Sequence, residues 1–133
     1  MSNSQATARI GSADANYLVH LQAGSHALVG DESAGLGGTD QGPPPFAFVL
    51  SGLVSCTAIT LKMYMQRKQW PVADVEVTAV FQGKDEARFI RREVRLSGAE
   101  LGEAERERLA QICERTPVTL FLKGASRIET TFL

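Results

Sequence analysis

The sequence predicts an α+β domain in which a mostly antiparallel sheet is organised around one long apolar helix. Three observations predict it. From Gln41 through Leu61 there is no Asp, Glu, Lys or Arg. Two later stretches, 75–82 and 89–96, alternate between apolar and polar residues as half-buried strands do. The order of elements is strands, long helix, two strands, helix, strand.

The bulk numbers set limits. A length of 133 residues predicts a single domain, 1–133. A net charge of −1 points to neither nucleic acid nor an anionic membrane surface. Two cysteines do not make a disulfide framework, and they favour a cytoplasmic setting. Met1 to Gln5 is polar and lacks a basic-then-apolar leader layout. The uncharged run is long enough to raise a transmembrane reading, but three prolines at its start and Ser51, Gly52, Ser55, Thr57 and Thr60 within it argue against one.

In chain order, Thr7–Ile10 is a short strand and Gly11–Asn16 a turn. Tyr17–Leu21 and Ala27–Val29 are strands joined through Ala23-Gly24-Ser25. Asp31–Gly42 is a loop whose four glycines are expected to supply positive φ. Pro44 and Pro45 push their predecessors out of helical geometry, so the long helix begins at or just after Pro45. Val49, Gly52, Leu53, Cys56, Ile59, Thr60 and Met63 recur at helical spacing. The helix runs to about Lys68 and stops before Pro71, with Ser51-Gly52 as its weak point. Val75–Phe81 pairs with Phe89–Leu96, the latter turning Ile90, Val94 and Leu96 one way and Arg91, Glu93 and Arg95 the other. Glu103–Arg115 is an amphipathic helix with Leu101, Leu109, Ile112 and Cys113 inward, stopped by Thr116-Pro117. Val118–Leu122 is a short apolar piece, and Ile128, Thr130 and Phe132 alternate in a final strand. A helix apolar all round needs cover on every side, which predicts a homodimer.

Cys56, in the middle of the uncharged run, is the leading candidate for chemistry. Buried filler and guarded nucleophile both remain open for it. No cation lies within one turn of it on the helix; Ser55, Thr57 and Thr60 are the nearby donors. Cys113, on the inner stripe of the second helix, is either structural or the partner of Cys56 in a redox pair. A disulfide between the two requires Cα atoms within roughly 7 Å. His20 and His26 fit no metal-ligand spacing, and no metal or cofactor is expected. No nucleophile elbow, Walker loop or dinucleotide fingerprint occurs.

Several blocks carry a resemblance: Gly37-Gly38-Thr39-Asp40, Gly42-Pro43-Pro44-Pro45-Phe46, the run Ser55-Cys56-Thr57 through Tyr64, and Arg67-Lys68-Gln69-Trp70-Pro71. Ile90-Arg91-Arg92-Glu93 and Arg115-Thr116-Pro117-Val118 extend it. Together they resemble the OsmC/Ohr family of osmotically inducible and organic hydroperoxide resistance proteins. The resemblance implies an OsmC-like fold, with antiparallel sheets around a long central helix in an intertwined homodimer. It implies a thiol-dependent peroxidase for oxidative-stress defence. There Cys56 attacks an organic hydroperoxide, a second Cys resolves the sulfenic acid, an Arg and a Glu polarise the site, and an external thiol regenerates it. In this sequence the second-Cys position is Thr116 and the Glu position is Ala47. Cys113 is then the candidate for a displaced resolving Cys, and Arg9 the nearest candidate partner for the thiolate. Ala47, Thr57, Thr60 and Thr116 are expected around the pocket. The alternative is a catalytically degenerate member that binds a small hydrophobic ligand in the dimer-interface cavity.

Overall fold

A computed structural model describes residues 4–71, 74–98, 100–124 and 126–133. The chain divides into two compact units, Met1–Val49 and Leu50–Leu133, with the boundary inside the long helix.

In the first unit, β1 (Ala6–Arg9), β2 (Val19–Ala23) and β3 (His26–Gly30) form an antiparallel sheet in that order. Its strands begin and end within two residues of the expected bounds. Ala23 pairs with His26, so Gly24-Ser25 is a two-residue turn, and Gly24 takes φ 58°. The loop that follows was expected to use glycine for positive φ. Only Gly37, at 90°, does so. Gly38 and Gly42 serve close approach instead. A Cβ on Gly38 would lie 2.0 Å from the Glu32 carbonyl oxygen, and one on Gly42 would lie 2.3 Å from that of Val29.

Asp31 closes this loop. Its carboxylate accepts from the Thr39 hydroxyl at 2.6 Å, the Glu32 amide at 2.7 Å and the Gln41 amide at 3.1 Å. The Thr39 hydroxyl first, then the backbone amides, hold its pKa below the ordinary 3.8, at about 2, against the opposing effect of desolvation. A lowered folded-state pKa contributes stability that is fully present above pH 4 and is lost as pH falls towards 2. Asp31→Asn should therefore be less stable than wild type at pH 7, with the difference closing between pH 4 and pH 2. Urea melts across that range check it, and a constant difference would count against the assignment.

Helix α1 (Pro45–Arg67) starts on Pro45, as the proline rule requires, and runs unbroken through Ser51-Gly52. Its end is a Schellman arrangement: Gln69 takes φ 58°, its amide bonds the Gln66 carbonyl, and the Trp70 amide bonds that of Met65. The Trp70 ring meets Tyr64 edge-on at 5.5 Å, which supplies the apolar clasp of that motif. By length and composition α1 could cross a membrane. One side of it packs into the core, with Leu61 and Met65 clustered against Leu109, Cys113, Val75 and Leu96.

In the second unit, β4 (Asp74–Gln82) and β5 (Phe89–Ser97) form an antiparallel hairpin in the register Val77 to Val94 and Phe81 to Ile90. Helix α2 (Glu103–Cys113) follows, its Glu105 carboxylate reaching back to the Gly102 amide.

Two expectations are corrected. Thr116-Pro117 does not merely stop a helix; it starts one, α3 (Pro117–Lys123), with Thr116 as N-cap and Pro117 at a first-turn position. The piece Val118–Leu122 is thus helical. Residues 126–133 form no strand, and Ile128 and Phe132 are exposed. Alternation at 128, 130 and 132 is not matched by pairing with any strand among the described residues. Within the single chain, Leu53, Thr57, Leu61 and Met65 of α1 are buried, while Ile59 and Met63 are 53% and 57% exposed.

Candidate functional site

The densest polar structure in the second unit is centred on a residue that the sequence reading passed over. Arg92 stands on β5 on the same face as Ile90, Val94 and Leu96, and opposite it across the hairpin is Ala79, too small to block a long side chain. Its side chain is only 12% exposed. Nη1 donates to the hydroxyls of Thr57 at 3.0 Å and Thr119 at 2.7 Å. Nη2 donates to the Cys113 carbonyl at 2.8 Å and to the Glu114 carboxylate at 3.1 Å. One guanidinium thus joins α1, α3 and the end of α2 to β5. Thr57 and Thr116 have no exposed surface, and the hydroxyls of Thr116 and Thr119 lie 2.6 Å apart. Among the described residues, no buried side-chain nitrogen or oxygen lacks a partner.

The signal for Arg92 was present in the sequence. Strand alternation places position 92 on the apolar face, where an arginine needs an explanation.

Cys56 is half-buried and free. The hydroxyls beside it are turned away from the thiol: Ser55 Oγ donates to the Gly52 carbonyl at 3.2 Å, and Thr57 Oγ1 to that of Leu53 at 2.7 Å. They are therefore not the donors to Cys56 that their spacing suggested. Thr60, four residues on, shares the Cys56 side of α1 with Ile59 and Met63. That side is apolar and partly uncovered.

Cys113 is free and buried in the cluster with Leu61, Met65 and Leu109. Leu61 and Met65 lie five and nine residues beyond Cys56, about 140° and 180° around the helix at roughly 100° per residue. Cys113 therefore packs against a different side of α1 from the one that carries Cys56. Burial pushes the Cys113 thiol pKa up, and the nearby Arg92 charge only partly offsets this.

The remaining candidates separate by unit. Arg9 is exposed on β1, in register with His20, whose ring nitrogen lies 3.0 Å from the Asp14 carboxylate. Ala47 is half-buried in the first turn of α1, its amide on the Pro44 carbonyl at 3.0 Å. Thr116, at the position matching the resolving Cys, sits inside the Arg92 network as the cap of α3. Among the described residues, no group of three His, Cys, Asp or Glu could hold a metal ion.

Comparison with known proteins places this arrangement. The family model described as OsmC-like protein matches residues 38–131. No curated protein matches the chain. Among solved structures, the fold is similar to an organic hydroperoxide resistance protein OsmC from Legionella pneumophila. The TM-score is 0.68 and the identity 17%, over 93% of this chain and 91% of that one. It is also similar to an organic hydroperoxide resistance protein from Elizabethkingia anophelis, with TM-score 0.66 and 22% identity over 93% and 90% of the two chains. An OsmC-like protein from Mycoplasma pneumoniae gives TM-score 0.66 and 16% identity over 92% and 89%. The family match covers Cys56, Arg92 and Thr116 alike, and by it this chain belongs to the OsmC-like protein family.

Proposed function

We propose that this protein is a homodimeric, thiol-dependent organic hydroperoxide reductase acting in a reducing, cytoplasmic setting, with Cys56 as its nucleophile. The observation that carries the reading is the contrast between the two thiols. Cys56 is half-buried on an apolar side of α1 flanked by the exposed Ile59 and Met63. Cys113 is buried, 7% exposed, among Leu61, Met65 and Leu109. An apolar peroxide reaches the first thiol more readily than the second.

The chemistry balances without a second cysteine. The Cys56 thiolate attacks the distal peroxide oxygen, the O–O bond breaks, and a proton completes the alcohol, leaving a sulfenic acid. A small external thiol condenses with it, releasing water and forming a mixed disulfide. A further thiol then displaces Cys56 as the free thiol. Arg92 supports this site from behind, through Thr57, the residue next to the nucleophile. A second copy packed along part of this apolar side, as in the intertwined dimer that the resemblance implied, would wall a pocket that still opens on Cys56.

A second reading, a catalytically degenerate member that binds an apolar ligand, draws support from Ala47, Thr116 and the hydroxyls of Ser55 and Thr57, which bond the helix backbone. The first unit also carries a cavity of about 660 Å³, lined by Ala8, Leu21, Leu28 and Phe48 on the sheet face. One experiment separates the two. Reduced protein is treated with one equivalent of cumene hydroperoxide in the presence of dimedone, and the peptides are mapped by mass spectrometry. The peroxidase reading expects a dimedone adduct on Cys56 and none on Cys113. No adduct, together with thermal stabilisation by apolar ligands, assigns the second reading.

A further inference from the structure

We propose that the cavity between the β4–β5 hairpin and α3 binds a monocarboxylate with an apolar chain, its carboxylate seated between Arg92 and Lys123 in place of that of Glu114. The cavity has a volume of about 500 Å³, within the range of small-molecule sites. Leu53, Phe81, Ile90 and Leu122 form an apolar wall, and Arg92 and Lys123 stand at its polar end. A ligand matching both parts needs an anionic head and a hydrocarbon tail.

Glu114 shows which head fits. Its two oxygens bridge the cations, Oε2 to Arg92 Nη2 at 3.1 Å and Oε1 to Lys123 Nζ at 2.8 Å. Yet its side chain is 61% exposed and belongs to the residue just after α2, so it can swing into water with little loss. Its carboxyl is held below the ordinary glutamate range, first by the Lys123 hydrogen bond, so this spot favours a carboxylate. Arg92 is already fixed by Thr57, Thr119 and the Cys113 carbonyl, so its fork is preorganised and little ordering is needed on binding. Arg88 also lines the cavity, so three cations face one carboxylate and a second anion enters a positive field. Among the described residues that line the cavity Cys56 does not appear, and binding involves no redox step, so this site stands or falls independently of the peroxidase reading.

The test is calorimetric titration of the full chain with sodium octanoate, octanol and sodium acetate. Octanoate is expected to bind, with octanol lacking the charge and acetate lacking the tail each at least about tenfold weaker. Lys123→Ala should weaken octanoate by about tenfold, while Glu114→Gln, which removes the competing carboxylate, should tighten it by about tenfold. Both variants change exposed side chains and leave the Arg92 anchors in place. Equal binding of octanoate and octanol, no octanoate binding at millimolar concentration, or no tightening in Glu114→Gln would each overturn the assignment.

Discussion

Cys56→Ser is expected to lower dithiothreitol-dependent reduction of cumene hydroperoxide by at least about a thousandfold, to the rate of dithiothreitol alone. A serine hydroxyl is nearly isosteric with the thiol but is not a nucleophile towards peroxide oxygen at neutral pH. The thiol sits on the partly uncovered side of α1, where the exchange of one atom leaves packing intact. Cys113→Ala should keep the rate within about threefold of wild type, since that side chain packs in the core with Leu61, Met65 and Leu109. Consumption of peroxide followed by a colorimetric assay on the three proteins decides the matter. Equal rates for wild type and Cys56→Ser would remove the peroxidase assignment, and loss of activity in Cys113→Ala alone would move the chemistry to the other thiol.

Arg92→Leu is the second large effect, and it is an effect on stability. Leucine fills part of the space but leaves the Cys113 carbonyl without its 2.8 Å donor and takes a donor from Thr57 and Thr119. Groups buried this deeply cost about 1–3 kcal/mol when orphaned. The Glu114 pair adds little, because that carboxylate is mostly exposed and keeps Lys123. The net loss should be about 2–4 kcal/mol, or roughly 10 °C in melting temperature for a chain of this size. Arg92→Lys should fall between the two, since an ammonium keeps the charge but cannot reach four acceptors as a planar fork does. Urea unfolding of all three proteins provides the check, and a loss below about 1 kcal/mol in Arg92→Leu would show the network to be marginal.

How far these features were legible depended on whether their cause was local. Proline geometry fixed the start of α1, and Trp70-Pro71 its end, because both act through the backbone of adjacent residues. The period-two alternation of β4 and β5 was equally plain. Thr116-Pro117 was ambiguous because the same dipeptide ends one helix and caps the next, and only the Thr119 amide pointing back at Thr116 distinguishes the two. The final strand failed because alternation describes a face and says nothing about whether another strand pairs with it. Cys56 was found through its block of neighbours, whereas the role of Arg92 was missed: it lies 35 residues beyond Thr57 and meets it only through the fold. The burial of Cys113 against Leu61 and Met65, on another side of α1 from Cys56, was likewise invisible to spacing alone.

That separation of the two thiols has a kinetic consequence. In the proposed cycle a sulfenic acid at Cys56 has no cysteine of its own chain on the same side of the helix to capture it, and Thr116 cannot act as one. Its lifetime is set by how quickly an external thiol arrives. A second peroxide molecule competes for the same intermediate and carries it to sulfinic acid, which small thiols do not reverse. The protein would then be a peroxidase whose working range is bounded by the ratio of thiol to peroxide around it. It would turn over freely when reductant is abundant and shut itself off irreversibly when oxidant prevails.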